Sequence, residues 1–415
     1  MFLQAILLIA LAIDPSPHHK YGLTEAMPKL DGAIRIATYN VLNLFDHKND
    51  PTLEGEYDDF GDNPGPTSLE RCEELAKAIR KVDADIITLQ EVESLEALNW
   101  FNNTFLSSMG YKYIASEEAG YYRGVEQSVL SRYPITHTQV WPNLILTDEE
   151  RVGPNWSPVP GKIAITFQRS PLCATIQTPD GYEITLFVVH HKAGRSNNWH
   201  REYESLKIMR LVEELEKKNP SQNIAVLGDF NAAPWDKSVK VYLQGGMVDT
   251  MQHRSTNVGY DEDAPLYKTH TSNRIIDFIL LNPNAMSEFV PNSGFILGTS
   301  AEEYDWRNES PPSGYASDHY PLAIDLVPKE NMRLNVKANP WPKLKLEHSR
   351  QQVEPENLIP ISDAEFIASK RSQVFHDASC GNAQGIKESN QIGFESYDDA
   401  FDSGRKPAGC CKPSK

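Results

Sequence analysis

Two short stretches set ionisable side chains directly against apolar runs: Gly228-Asp229-Phe230-Asn231 and Ser317-Asp318-His319-Tyr320-Pro321. Ile224-Ala225-Val226-Leu227 is a buried-strand pattern that Gly228 ends. Asp229 and Asn231 therefore fall at the mouth of a sheet, where strand ends build sites. Two apart in an extended chain, they would share one face and point to one phosphate. Asp318 and His319 supply a carboxylate and an imidazole at one strand start, which suits metal-assisted hydrolysis better than packing. Three more apolar runs end in polar groups: residues 34–40 in the amide of Asn40, 85–91 in the carboxylate of Glu91, and 184–190 in His190. One such residue alone would be an ordinary hydrogen-bonded turn or core group. Five at the same kind of position describe a constructed centre.

The elements that must position these groups alternate in type. A helix is expected over 68–81, with Leu69, Cys72, Leu75, Ala76 and Ile79 on one face and Ser68 opening it. A second follows around 94–108, and a third over 200–218 carries Leu206, Met209, Leu211, Val212 and Leu215. Strands are expected at 111–115 and 126–130, with an exposed loop and then a strand over 153–167. Residues 46–66, rich in Asp, Gly and Pro, are a long loop beside the site. Strand and helix in alternation, with hairpins between, suit an α/β fold of two sheets packed face to face with helices outside.

The 415 residues carry a net charge of −17. From Lys329 onward there are 13 basic and 12 acidic residues, so residues 1–328 carry −18. Such a domain does not gather phosphate backbones by its general field; local Lys and Arg or metal ions must hold them. Arg123, Lys192, Arg195 and Arg274 are the basic candidates near the motifs. No Gly-x-Ser-x-Gly elbow, P-loop or Gly-x-Gly-x-x-Gly is present, which removes the serine-hydrolase and mononucleotide-loop classes.

The order of the motifs resembles the endonuclease/exonuclease/phosphatase superfamily, the deoxyribonuclease-like fold. The resemblance is carried by Asn40 in TYNVLNLF, Glu91 in LQEVE, His190 in VVHHKAG, Asp229 and Asn231 in GDFNA, Asp277 in RIIDFILL and Asp318-His319 in SDHYP, and runs from about residue 34 to 327. It implies a four-layer α/β/β/α sandwich and an Asp277–His319 pair. Phosphodiester hydrolysis needs a water nucleophile, charge stabilisation at phosphorus and a protonated or metal-bound leaving oxygen. Glu91, Asn40 and Asp318 are the expected ligands of Mg²⁺, or of Mn²⁺ or Ca²⁺, all of which take oxygen donors. Asp229 or His319 takes the proton of the attacking water, a choice that stays open. Asn231 donates to a phosphate oxygen, and His190 completes the catalytic set. Lys192, on the face of His190, and Arg123 are substrate contacts; a surface salt bridge is the other reading of Arg123. His191 is structural, and Glu93, Asp59, His137 and His270 are solvated or hydrogen-bonded.

Met1 to Ile13, MFLQAILLIALAI, is too short to span a bilayer. It reads as a signal peptide with Ala10-Leu11-Ala12 as its cleavage site, placing the protein outside the cell or in the periplasm without stable membrane insertion. The catalytic domain is expected over 31–328 and a Pro-, Lys- and Gln-rich linker over 329–360. A small unit over 361–415 resembles the cysteine zinc module of bacterial alkylation-repair activators, in KRSQVFHDASC, IGFESYDDAFDSGRKP and the terminal cysteines. That likeness implies Zn²⁺ on His376, Cys380, Cys410 and Cys411, though Ala408 stands where the module has its first Cys. A disulfide from Cys380 to Cys410 or Cys411, or a degenerate module, are the alternatives, and surface attachment is the expected role. Cys72 and Cys173 belong to the core. The expected function is a secreted, divalent-metal-dependent nuclease; a phosphatase or sphingomyelinase-like phosphodiesterase is the enzymatic rival, and a non-catalytic binding scaffold the third reading.

Overall fold

The computed structural model describes residues 21–48, 66–251, 264–299, 312–328, 360–394, 400 and 405–408, apart from 122, 162, 163, 371 and 373. The expected signal peptide, Asp59, most of the 46–66 loop, nearly all of the linker, Cys410 and Cys411 lie outside the described residues. The chain divides into two compact units, Met1–Thr250 with Lys268–Met332, and Met251–Tyr267 with Arg333–Lys415.

Continuous apolar runs make the central strands, because both faces of each are covered. β1 (Ile34–Leu44) and β2 (Ile86–Val92) run parallel, flanked by β3 (Tyr113–Ser116) and β4 (Glu126–Ser131). β5 (Ile135–Gln139), β6 (Leu172–Gln177), β7 (Glu183–His190), β8 (Asn223–Asp229), β9 (Val248–Asp249) and β10 (Asp277–Leu281) form a second sheet, and β7 and β8 run parallel. β11 (Phe295–Ile296) and β12 (Leu322–Leu326) return to the first. The two sheets are mixed and six-stranded, in the orders β11-β12-β1-β2-β4-β3 and β5-β6-β7-β8-β10-β9. They pack on each other through β1, β2 and β4 against β8, β7 and β6.

α1 (Leu69–Val82) and α2 (Leu95–Phe105) cover the first sheet, burying Cys72, Leu75, Ile79, Leu98 and Phe101 with Ile87 and Leu89. Each fully buried Leu or Ile contributes roughly 1.5–3 kcal/mol. Ser68 caps α1 by accepting the Arg71 N–H, as expected, but Leu69 is 68% exposed because the first turn overhangs the core. α3 (Asn198–Lys218) packs with α4 (Lys237–Gln244). Its buried side differs from the expected apolar stripe. Leu206, Leu211 and Leu215 are only partly buried, while Arg201, Glu202, Glu204 and Lys207 are buried with Ile208, Met209 and Val212. The strand expected before Phe167 does not form; among the described residues Thr166 makes a single bridge to Ile145. Cys72 and Cys173 are buried, as expected.

Arg35 ties β1 to its neighbours. Its guanidinium bonds both oxygens of Asp325, at 2.7 and 3.0 Å, and the carbonyls of Val82 and Met27, while its N–H donates to Asp85. Both partners are almost fully buried.

In the second unit β13 (Phe366–Ser369), β14 (Val374–Asp377), β15 (Gln391–Phe394) and β16 (Lys406–Pro407) form a sheet of order β15-β13-β14-β16 over Ala368, Phe375, Ile392 and Phe394. His376 Nδ1 and Cys380 Sγ lie 4.0 Å apart. No described helix is long and apolar enough to cross a membrane.

Candidate active site

Topology brings the motif residues together. The parallel register of β7 and β8 sets His190 beside Asp229, and the antiparallel register of β10 on β8 sets Asp277 on its other side. β1 and β2 end together, which brings Asn40 near Glu91. β12 is antiparallel to β1, so the segment before it meets the end of β1, where the Ser317 hydroxyl donates to Asn40 O at 2.8 Å.

Local backbone form then aims the side chains. Gly228 has φ 137°, and a Cβ there would stand 2.0 Å from Val189 O, so the position demands glycine. Glu91 (φ 66°) and Asn231 (φ 47°) are left-handed, a cost of about 1–3 kcal/mol for a residue such as Glu that clusters at functional sites. Asn231 thus departs from the extended geometry expected of it. It folds back, its N–H donating to Asp229 Oδ1 at 2.7 Å and its amide to Asp229 Oδ2 at 3.0 Å and His191 O at 3.1 Å. Asn231 orients Asp229 here, with both amide hydrogens engaged.

Asp229 is the hub. Its Oδ2 lies 3.3 Å from Asn40 Nδ2, 3.3 Å from His190 Nε2 and 3.7 Å from His319 Nε2. Glu91 Oε1 is 3.5 Å from Asn40 Nδ2 and 3.6 Å from His190 Nε2. Arg123 Nη2 bonds Asn43 Oδ1 at 2.6 Å and stands 3.8 Å from Glu91 Oε2, so it belongs to the site rather than to a surface pair. His319 Nδ1 lies 2.9 Å from Asp277 Oδ2, the expected pair. Asp318 Oδ2 lies 3.3 Å from His270 Nε2. Lys192 enters through its backbone N–H, which donates to Glu204 at 2.9 Å.

Burial and charge push these groups apart in acidity. Burial lifts the Asp229 carboxyl to about 7, with Asp277 adding to the lift and His319 opposing it. Burial lowers His319, but Asp277 and Asp229 overcome it and hold the imidazolium up to about 10. Burial, then Arg169, Arg123 and His319, push His190 well down, so it is neutral. Burial lifts Asp318, yet the bond from His270 and the charge of His319 bring it down to about 2. Burial and neighbouring charge thus set a raised carboxyl beside a raised imidazole, the kind of separation from ordinary acidity that clusters at functional sites.

Several supporting residues were invisible in the sequence. The fully buried Glu204 carboxylate lies 3.2 Å from His191 Nδ1 and 3.5 Å from His200 Nε2; His191 Nε2 meets Tyr242 Oη at 2.9 Å. This explains the structural role expected of His191. Arg169 is buried and donates to His191 O at 2.9 Å. Arg71 donates to the carbonyls of Val41, Leu42 and Ala316, joining the end of β1 to the Ser317 segment. His270 is hydrogen-bonded, as expected, and its partner is the site carboxylate of Asp318. Arg71 and Glu204, on helices, look like part of a solvated face until their partners are known.

Asn40, Glu91, Asp229 and Asp318 are hard oxygen donors. Such donors suit a divalent ion, and among the described residues two groupings bring carboxylate and imidazole donors close, while Glu91 stands in neither and meets the site through Asn40 and His190. Asp229, Asp277 and His319 place one donor atom each within 4.8 Å of one another, as do His270, Asp318 and His319.

Solved structures with similar folds include the human Nocturnin catalytic domain with bound sulfate (16% identity, 72% of this chain and 95% of that chain, TM-score 0.47). Others are the Bacteroides thetaiotaomicron VPI-5482 mannosyl-6-phosphatase (18%, 71% and 99%, TM-score 0.44) and truncated Caenorhabditis elegans TDP2 (14%, 72% and 98%, TM-score 0.43). No curated protein matches the chain. The model of the Endonuclease/Exonuclease/phosphatase family matches residues 37–319, more than half of the sequence, from within β1 to His319. The chain belongs to the Endonuclease/Exonuclease/phosphatase family.

Proposed function

We propose that this protein is a divalent-metal-dependent phosphodiester hydrolase that acts on nucleic acid outside the cytoplasm. Family members hydrolyse phosphoesters and generally depend on divalent metal. The observation that carries the reading is the Asp277–His319–Asp229 array, in which one carboxylate holds an imidazolium 3.7 Å from a carboxyl poised near neutrality. Asn40, Glu91 and Asp318 would hold the metal, which supplies positive charge to the phosphoryl and leaving oxygens. Asp229 accepts a proton from the attacking water, oriented by Asn231 and Asn40. His319 donates from Nε2 to the phosphoryl group, with Asp277 stabilising its charge. The buried Arg169 and the partly buried Arg123 compensate the acidic field of the domain at this one place. Export rests on the apolar residues 1–13, and attachment to a surface on the C-terminal unit, with Zn²⁺ on its Cys and His residues.

One observation favours a second substrate class. A charge of −18 over residues 1–328 repels an extended polyanion more than a small or lipid-borne phosphoester. The test is hydrolysis of plasmid DNA, RNA, sphingomyelin and inositol phosphates by the purified protein with Mg²⁺. Nicking of DNA or cleavage of RNA, lost in His319→Ala, supports the nuclease reading. Turnover confined to lipid or small phosphoesters replaces it with the rival, and a folded protein without turnover returns the chain to a binding role.

A further inference from the structure

The turn over residues 268–277 touches two site carboxylates at once. Thr269 and His270 N–H both reach Arg274 O, Thr271 N–H donates to Asp318 O at 2.8 Å, and Tyr320 N–H donates to Thr269 O at 2.8 Å. The turn is thus laced to itself and to the Asp318–His319 segment. On one side the Thr269 hydroxyl accepts the N–H groups of Ile276 (3.0 Å) and Asp277 (3.1 Å), which fixes the start of β10. On the other, His270 Nε2 stands 3.3 Å from Asp318 Oδ2.

The tautomer of His270 follows from its other nitrogen. Nδ1 receives the Ser272 backbone N–H at 2.9 Å and meets Ser272 Oγ at 2.7 Å, while Arg274 Nε donates to the same hydroxyl at 2.8 Å. A backbone N–H can only donate, so Nδ1 carries the lone pair and Nε2 the proton. Nε2–H is therefore a donor to Asp318 and has no lone pair for a metal. His270 is not a ligand, although its ring lies with Asp318 and His319 in a grouping of metal-binding type. The ring also stands edge-on to His319, 4.6 Å between centroids at 88°, which leaves it little room to rotate. Ser317 Oγ stands 3.5 Å from Oδ1 of Asp318.

We propose that His270 is a positioning residue: through Arg274, Ser272 and its own locked Nε2–H it pins one oxygen of Asp318, so that the other is presented to the divalent ion. The inference rests on the reading of Asp318 as a metal ligand. An outer partner of a ligating carboxylate changes metal affinity roughly 10–100-fold when removed.

The experiment is calorimetric titration of the full chain with Mn²⁺, without substrate, on wild type, His270→Phe, His270→Gln and Asp318→Asn, with thermal unfolding as the check on folding. His270→Phe keeps an aromatic ring and loses the donor; affinity should fall roughly 10–100-fold. His270→Gln places an amide N–H at similar reach and should recover most of it. At saturating Mn²⁺, the kcat of His270→Phe on bis-p-nitrophenyl phosphate should return toward wild type. Weakened binding in Asp318→Asn with wild-type binding in His270→Phe overturns the positioning role. Equal losses in His270→Phe and His270→Gln overturn its hydrogen-bond basis. Wild-type binding in Asp318→Asn overturns the metal reading itself. Nitrogen NMR of wild-type His270 needs no variant: an Nε2–H tautomer supports the proposal, and an Nδ1–H tautomer overturns it.

Discussion

Asp277→Asn isolates the electrostatic part of the site from its shape. Asn is isosteric, its N–H stays bound to Thr269 Oγ1, and its Oδ1 can still accept from His319 Nδ1. What disappears is the negative charge 2.9 Å from the imidazole, the largest of the influences that raise His319. The full lift from 6.5 to about 10 corresponds to roughly 5 kcal/mol at 1.36 kcal/mol per pH unit, shared between Asp277 and Asp229. Without Asp277, burial dominates and His319 falls toward or below 6.5. In wild type the charged ring persists until the pH passes about 10, so the alkaline limb of activity lies there. In Asp277→Asn it moves to lower pH, and the loss at pH 8 exceeds the loss at pH 6. Loss of a positioned proton donor corresponds to roughly 10²–10⁴ in kcat/KM. The linkage has the same sign. A raised His319 stabilises the fold fully below its unfolded value of 6.5, and that contribution is lost as pH rises through about 10. The assay is a pH series of kcat/KM on bis-p-nitrophenyl phosphate with Mg²⁺, beside urea unfolding of both proteins. A loss under tenfold, or one that does not change with pH, would refute the reasoning.

Gly228→Ala should cost about 1–3 kcal/mol in backbone strain and displace Asp229, so both stability and activity fall; a stable, fully active variant contradicts the close approach to Val189 O. Asp325→Ala leaves Arg35 charged and unpaired in the core and should lower urea stability by about 3–5 kcal/mol while turnover per folded molecule is kept. Cys72 and Cys173 are buried, and burial pushes their thiols up to about 11 and about 12. A thiol reagent should modify them only in denaturant, and rapid labelling of either in the native protein contradicts their placement.

The strands that carry the site were legible because each is a near-continuous apolar run ending in one polar residue, a local signal. Their order was not, since β12 pairs with β1 across almost three hundred residues and β10 pairs with β8 across some fifty. Pairing at that separation leaves no mark on neighbouring letters. Asn40, Glu91, Asp229, Asp277 and His319, marked in the sequence by type and place, come together in the fold, whereas the turn at Asn231 was missed because its left-handed backbone has no signature beyond being Asn. Arg35, Arg71, Arg169, Arg201 and Glu204 escaped for a different reason. A buried charge reads as a solvated one until its partner is located, and α3 shows this most plainly, with Glu202 and Glu204 inside and Leu211 partly out. His270 belongs to the same class, because its meaning lies in Asp318, 48 positions away.

The claim that these strand ends form one metal-assisted phosphoester-hydrolysing centre is tested most directly by stripping the purified protein of divalent ions and restoring Mg²⁺, with turnover of bis-p-nitrophenyl phosphate followed beside Asp229→Asn and His319→Ala. The account predicts turnover that vanishes with chelator, returns with Mg²⁺, and stays at least roughly 10²-fold low in both variants. Turnover that survives chelation, or wild-type rates in either folded variant, would contradict it.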